Sequence, residues 1–195
     1  SAASDVYKRQ DDARALTALP GYAIPTGSTP GLEAGATFAP EAMTYANGTH
    51  VAEVEVDIET GIVTVTGYVV VHDSGRLINP RIVDGQIVGG LVHGLGNALL
   101  EEMVYAPDGQ PLTMNFGEYL LPTAPAIPRL ELAHMSSPTP LNPLGAKGAG
   151  ESGTLPVTAA IVSAVDHALT PFGARITRIP IRPADILAAV APGGP

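Results

Sequence analysis

Residues 50–71, HVAEVEVDIETGIVTVTGYVVV, determine the architecture of the chain. Over 53–58, Val and Ile alternate with Glu and Asp, which is the two-residue period of a strand with one solvent-facing side. Residues 59–61, Glu-Thr-Gly, are typical of a turn, and residues 62–71 return as a second strand. The last part of that strand, 68–71, is apolar on both faces, so we expect it to be buried.

A helix is predicted from Arg81 to Glu102. Its apolar residues recur at helical spacing, but five glycines interrupt them. Each Gly inside a helix costs about 1 kcal/mol relative to Ala. Another backbone, or a ligand, is therefore expected to lie almost against the helix axis, and the helix is expected to be buried against something flat. The five glycines are Gly85, Gly89, Gly90, Gly94 and Gly96.

The rest of the chain is predicted to mix short strands with helices, and no internal repeat is visible. We assign the fold class α+β, with mixed strands and two main helices. The further predicted strands are 103–105, 112–121, 130–134 and 176–181, and the further predicted helices are 155–169 and 183–190.

The regular strand and helix patterns begin only after two N-terminal segments of different character. Residues 1–10 share no pattern with the rest of the chain, and we interpret them as a scar of cloning or sequence assembly. Residues 11–46 contain four prolines and are predicted to form a loop-rich N-terminal segment. The remaining part, 47–195, is predicted to be the folded domain.

Composition and charge exclude several classes of protein. The net charge of −9 argues against a nucleic-acid partner. With no Cys, the chain has no disulfide, no thiolate metal site and no cysteine nucleophile. Its five histidines are dispersed, so no metal site built from protein side chains is predicted. No apolar run approaches the roughly 20 residues that span a membrane.

The densest candidate for chemistry is GAKGAGESG, residues 145–153, named here the Gly-rich loop. Its four glycines allow the backbone to approach a ligand closely, and the predicted helix after it directs unpaired N–H groups toward that ligand. Gly148, Gly150 and Gly153 match G-x-G-x-x-G, but a proline-rich lead-in stands where a dinucleotide site needs a strand. Lys147 precedes Gly148, Gly150 and Gly153 rather than ending the motif, which also disfavours a P-loop.

Three polar side chains near these glycines have alternative interpretations. Glu151 could act as a general base, or it could only cap the following helix. Gln86 could hydrogen-bond a flat heteroaromatic ligand lying against the helix glycines, or it could make a contact between helices. Ser152 would be a nucleophile only if a histidine base and an acid converge on it.

Three stretches carry a family resemblance, in the same order as in the family. They are HVAEVEVDIETGIVTV (50–65), DSGRLINPRIVDGQIVGGLVHGLGNALLEE (73–102) and PTPLNPLGAKGAGESGT (138–154). The chain resembles the molybdenum-binding large subunit of the xanthine dehydrogenase, aldehyde oxidase and aerobic carbon monoxide dehydrogenase family, and it leans toward the bacterial carbon monoxide dehydrogenase branch. The resemblance implies that residues 47–195 are the C-terminal part of a molybdopterin-binding domain.

The resemblance also implies roles for individual residues. Glu151, in the family's K-G-x-G-E motif, would be the general base in the oxidative hydroxylation of an electron-poor carbon of a purine, an aldehyde, an N-heterocycle or carbon monoxide. Gln86, in the G-Q-[IV] motif, would hydrogen-bond the molybdopterin. Lys147, Gly148 and Gly150 would shape the pocket and position Glu151. The molybdenum would be held by the sulfur atoms of the pterin, so no metal ligands are assigned to side chains.

The same resemblance implies cofactors and partners. The expected cofactor is molybdopterin with molybdenum, as the cytosine dinucleotide in a bacterial member. Iron-sulfur centres and FAD are expected on a small and a medium partner subunit, beside the remainder of the large subunit and a small-molecule substrate. We expect a cytoplasmic enzyme whose isolated fragment is inactive. The alternative is a non-catalytic binding or assembly domain that retains the fold.

Overall fold

The computed structural model describes residues 37–191, and those from Pro40 onward belong to one compact unit. The predicted scar at 1–10 and most of the predicted loop-rich segment, residues 11–36, lie outside the described residues. Residues 37–46 form neither helix nor strand.

A three-stranded mixed sheet forms the centre of this unit. Its strands are β1 (Asn47–Val56), β2 (Val63–Asp73) and β3 (Arg129–Met135), in the order β1-β2-β3. The β1–β2 pair is the antiparallel hairpin predicted from the sequence, whereas β3 joins β2 in parallel. At the turn, the Asp57 carboxylate accepts hydrogen bonds from the Glu59 N–H and the Thr60 hydroxyl, at 2.8 and 2.7 Å.

Within residues 37–191 there are three α-helices, and buried side chains from each of them join those of β2 in one hydrophobic core. They are α1 (Pro80–Leu99), α2 (Val157–Leu169) and α3 (Pro183–Val190), close to the predicted bounds. The Asn79 side chain caps α1 by accepting from the Ile82 N–H at 3.3 Å. Helix α2 contacts both β1 and α1. The largest fully buried apolar side chains of the resulting core are Tyr68, Ile87, Leu91, Leu95, Ile161, Leu169 and Ile186.

The glycines of α1 divide into groups with different surroundings. A Cβ at Gly90 would lie 2.8 Å from the carbonyl carbon of Gly153 and from the backbone nitrogen of Thr154. A Cβ at Gly94 would collide with the Val157 side chain. The predicted close approach of another backbone is thus confirmed for these two positions, where the chain entering α2 lies against α1. At Gly85 and Gly89, in contrast, a Cβ would meet nothing within 4 Å.

The strands predicted at 103–105 and 112–121 were wrong. The chain turns as expected, but only one bridge forms, between Tyr105 and Pro111. Prolines in this region have no N–H to donate to a ladder. Beyond the bridge, the Thr113 hydroxyl accepts from the Val104 N–H at 2.9 Å and donates to the Glu102 carbonyl at 3.2 Å. A side chain thus takes the place of further strand pairing.

The strand predicted at 176–181 was also wrong. The Ile181 N–H donates to the Ala98 carbonyl at the end of α1, at 2.7 Å. The Ile176 N–H donates to the Asp166 carboxylate on α2, also at 2.7 Å. These N–H groups are satisfied by helices, and within residues 37–191 the segment pairs with no strand. The α+β class is confirmed, since residues 37–191 form a mixed three-stranded sheet with three α-helices.

Candidate functional site

A cleft of about 300 Å³ separates α1 from the Gly-rich loop. Since Gly85 and Gly89 carry no side chain and face open space, part of the α1 side of the cleft is bare backbone. Such a surface allows a flat ligand to approach the helix closely. The cleft is lined by Gly85, Gln86, Gly89 and His93 on α1 and by Gly150 and Glu151 on the loop, among other residues.

Glu151 stands at the edge of this cleft with an exposed side chain. Its backbone carbonyl accepts from the Thr154 N–H at 2.9 Å, which closes a turn before α2. The residue that caps α2 is Pro156, and no side chain caps that helix end. The interpretation of Glu151 as a helix cap is therefore wrong, and Glu151 instead lines the cleft.

Gln86 connects the two walls of the cleft. Its side-chain amide donates to the Gly150 carbonyl over a long distance, 3.4 Å. The structure thus brings together three of the predicted site residues, Gln86, Gly150 and Glu151. Gly148 is exposed beside them but does not line the cleft.

Lys147 lies away from the cleft and contacts the end of β2. Its ammonium group is 3.4 Å from the Asp73 carboxylate, and both side chains are almost fully buried. Hydrogen bonds from Ser137 and from the Gly75 N–H, together with Lys147, hold the pKa of Asp73 well below its usual range although burial opposes this shift. This buried pair fixes the start of the Gly-rich loop.

Backbone hydrogen bonds support the same attachment. The Lys147 N–H donates to the Ser74 carbonyl at 2.8 Å, and the Arg76 N–H donates to the Gly145 carbonyl at 3.0 Å. At the other end of the loop, a Cβ on Gly153 would lie 2.7 Å from the Cα of Ile87. The loop is therefore held on β2 at its beginning and on α1 at its end, with Glu151 between them.

Sequence reasoning missed two histidines near the site. His93 lines the cleft, and His72 on β2 places its Nε2 atom 2.7 Å from the Ser152 hydroxyl. Burial lowers the pKa of His72 and the nearby His134 lowers it further, while Asp73 opposes the shift. The one available signal was the position of His72 after a run of valines, which implied a buried strand.

The condition for a serine nucleophile is only half met. A histidine reaches Ser152, but the Nδ1 atom of His72 is buried with no partner within residues 37–191, so the acid that a triad requires is missing there.

Two further findings concern only the part of the chain that the structure describes. His, Asp and Glu residues do not gather there in groups of three or more that could hold a metal ion. None of the helices there has the length and apolarity to cross a membrane.

Comparison with known proteins gives this geometry a context. A family model described as a molybdopterin cofactor-binding domain matches residues 4–128. The nicotine 6-hydroxylase large subunit of Paenarthrobacter nicotinovorans is 39% identical over 165 residues, which cover 85% of this chain and 20% of that protein. The carbon monoxide dehydrogenase large chain of Hydrogenophaga pseudoflava is 40% identical over 147 residues, which cover 73% and 18%.

A solved structure agrees with these relatives. The crystal structure of quinoline 2-oxidoreductase from Pseudomonas putida 86 superposes with a TM-score of 0.80 and 41% identity, covering 86% of this chain and 21% of that one. The family match and the superposition thus place the chain in the class of molybdopterin cofactor-binding domains. More narrowly, the chain belongs to the molybdenum hydroxylase family of xanthine dehydrogenase, carbon monoxide dehydrogenase and aldehyde oxidoreductase, as the resemblance implied. It spans about a fifth of the length of the curated relatives that it matches.

Proposed function

We propose that the chain is part of a molybdenum hydroxylase large subunit in which Glu151 acts as the general base. The observation that carries this proposal is the cleft, where the exposed Glu151 carboxylate stands beside the open backbone surface of Gly85 and Gly89. A carboxylate there can accept a proton from the oxygen that attacks the substrate carbon. The molybdenum cofactor, when bound, supplies the two-electron redox chemistry.

The residues of the cleft fit a molybdopterin. The space beside Gly85 and Gly89 would be reduced by any side chain, so glycine keeps it free for a planar ring system. Gln86 lies at the same edge, where its amide can hydrogen-bond such a ring. Gly150 shapes the opposite wall, and Lys147 and Gly148 keep the loop in position. The cytosine dinucleotide form of the cofactor is part of the proposal.

The proposed reaction is oxidative hydroxylation of an electron-poor carbon. Relatives named for nicotine, carbon monoxide, xanthine and aldehydes match at similar identity. The proposed substrate class is therefore the broad one: a purine, an aldehyde, an N-heterocycle or carbon monoxide.

The proposed partners are the remainder of the large subunit, an iron-sulfur subunit and an FAD-binding subunit. Similarity to chains named as subunits of larger complexes supports this. So does the apolar surface: Phe116 and Leu155 are 78% and 80% exposed, which is typical of a face that other protein covers. We expect the isolated chain to be inactive. The cytoplasmic location stays a prediction.

The test is Glu151→Gln in the complete protein loaded with its cofactor. Removing the base while keeping the side-chain volume should lower turnover by about a hundredfold to ten-thousandfold. Molybdenum content should stay at the wild-type level, because the cleft walls are unchanged. Glu59→Gln, in the β1–β2 turn, is the matched control and should turn over normally. Near-normal turnover by Glu151→Gln would overturn the proposal.

A further inference from the structure

A buried histidine holds the residue that comes directly after Glu151. His72 is 1% exposed, and its Nε2 atom lies 2.7 Å from the hydroxyl of Ser152, which is 80 positions later in the chain. The same hydroxyl is 3.3 Å from the Ala149 carbonyl. The turn that carries Glu151 is therefore closed from within and attached to β2.

Glu151 is restrained on both sides, but not equally. On one side, the Gly150 carbonyl accepts a long, exposed hydrogen bond from Gln86, at 3.4 Å. On the other side, the bond between Ser152 and His72 is short and largely shielded from water. Because hydrogen bonds strengthen at short distance and low dielectric, His72 provides the stronger restraint.

The direction of the hydrogen bonds is set by the partners. A carbonyl oxygen only accepts, so the Ser152 hydroxyl donates to Ala149 and accepts from the Nε2–H of His72. The Nδ1 atom of His72 is buried without a partner within residues 37–191, which favours a neutral ring because a second proton there would be buried and unsatisfied.

On balance, the charged and titratable groups around His72 also favour a neutral His72 ring. His134 on β3 lies with its ring centre 6.4 Å from that of His72, and it contacts Asp84 of α1 at 2.7 Å. His50 on β1 also interacts electrostatically with His72. Asp73, the next residue, is the group that favours a charged ring. Burial and His134 outweigh it, since the pKa of His72 is lowered.

We propose that His72 is a positioning residue that sets the orientation of Glu151 by donating a hydrogen bond to Ser152. The inference rests on the proposed role of Glu151 as the base. It adds a residue from a different element, outside the cleft, on which the geometry of the base depends.

The experiment uses the complete protein with its cofactor and four variants: His72→Leu, His72→Gln, Ser152→Ala and the double variant His72→Leu with Ser152→Ala. Misplacing a catalytic group slows the chemical step, so His72→Leu and Ser152→Ala should each lower kcat about tenfold or more. KM and molybdenum content should stay near the wild-type values. The double variant should be no slower than the slower single variant, because both changes remove one interaction.

Two comparisons separate positioning from a general effect on folding. The amide of His72→Gln can donate from about the place of Nε2, so this variant should recover most of the lost kcat. His167→Gln, on the exposed side of α2, should behave as wild type. If His72→Leu does not fold or load its cofactor, Ser152→Ala decides, since it removes only a hydroxyl.

Values of kcat within about twofold of wild type in Ser152→Ala, or losses that multiply in the double variant, would overturn the role of His72. If Glu151→Gln abolishes turnover in the same series, the proposed function stands and only this inference fails. If Glu151→Gln turns over normally, the proposed function fails instead.

Discussion

At the residue scale, the Asp73–Lys147 pair shows how a remote contact supports the candidate site. Neither side chain lines the cleft, yet their contact fixes the start of the loop that carries Glu151. Breaking a buried ion pair leaves an uncompensated buried charge, which costs more than the pair itself contributes. Lys147 is thus better understood as an anchor of the loop than as a ligand of the cofactor.

The pH dependence of stability tests this pair. The pKa of Asp73 is depressed in the folded chain, so ionised Asp73 contributes stability above the unfolded pKa of about 3.9 and loses it as the pH falls through the folded value. We predict that Asp73→Asn lowers the free energy of unfolding of the 195-residue chain by about 3 kcal/mol near neutral pH. The difference from wild type should shrink as the pH falls below about 4.

Urea unfolding at several pH values measures this difference. Asp108→Asn, in an exposed turn, is the control and should change little at any pH. A gap between Asp73→Asn and wild type that stays constant down to about pH 2 would contradict the assignment.

Gly89 tests the cofactor wall at the same scale. The Cβ of a side chain at this position would meet no atom within 4 Å and would lie at the wall of the cleft, and Leu is a better helix former than Gly by about 0.8 kcal/mol. Gly89→Leu should therefore leave the stability of the apoprotein unchanged or slightly raised while molybdenum content falls to a small fraction. Two opposite effects from one substitution separate loss of binding from loss of folding.

The measurements for Gly89→Leu are thermal unfolding of the apoprotein and metal analysis of the complete protein. Asn97→Leu introduces the same side chain at an exposed position of α1 outside the cleft, so it should load molybdenum normally. Full molybdenum content in Gly89→Leu would show that the cleft does not hold the cofactor.

At the element scale, α1 combines two functions on neighbouring turns. Gly90 and Gly94 let the chain entering α2 pack against the helix, whereas Gly85 and Gly89 leave a surface open. The sequence predicted close approach along this helix, but periodicity alone could not assign each glycine to a backbone or to a ligand. That assignment depends on where the segment about 60 positions later in the chain packs against α1, and local sequence does not encode this position.

Alanine substitutions measure this division. Gly90→Ala should destabilise the 195-residue chain by about 1–3 kcal/mol, because its Cβ would meet the backbone of Gly153 and Thr154. Gly85→Ala, in open space on the same helix, should instead stabilise it by about 1 kcal/mol. Free energies from urea unfolding give both values, and an equal stabilisation by the two substitutions would contradict the packing of α1.

The three wrongly predicted strands also belong to the element scale. Residues 112–121 are rich in apolar and aromatic side chains and residues 176–181 in β-branched ones, and both compositions favour a strand. The N–H groups of Ile176 and Ile181 are satisfied by a side chain of α2 and by the end of α1. Such partners come from tertiary structure, so propensity could not predict them.

At the scale of the whole molecule, much of the site is visible in the sequence because its parts are local motifs. The Gly-rich loop carries Gly150 and Glu151, and the glycines around Gln86 mark the opposing wall. The contact between His72 and Ser152 was not predictable, since a single histidine in a buried strand does not indicate its partner. The local sequence does not specify that the folded chain places β2 against the Gly-rich loop.

The most direct test of the account is a crystal structure of the complete protein with its cofactor. We predict that the pterin lies against Gly85 and Gly89, within hydrogen-bond distance of the Gln86 amide, and that the Glu151 carboxylate faces the molybdenum. A cofactor bound elsewhere, with the cleft between α1 and the Gly-rich loop filled by protein side chains, would contradict the account.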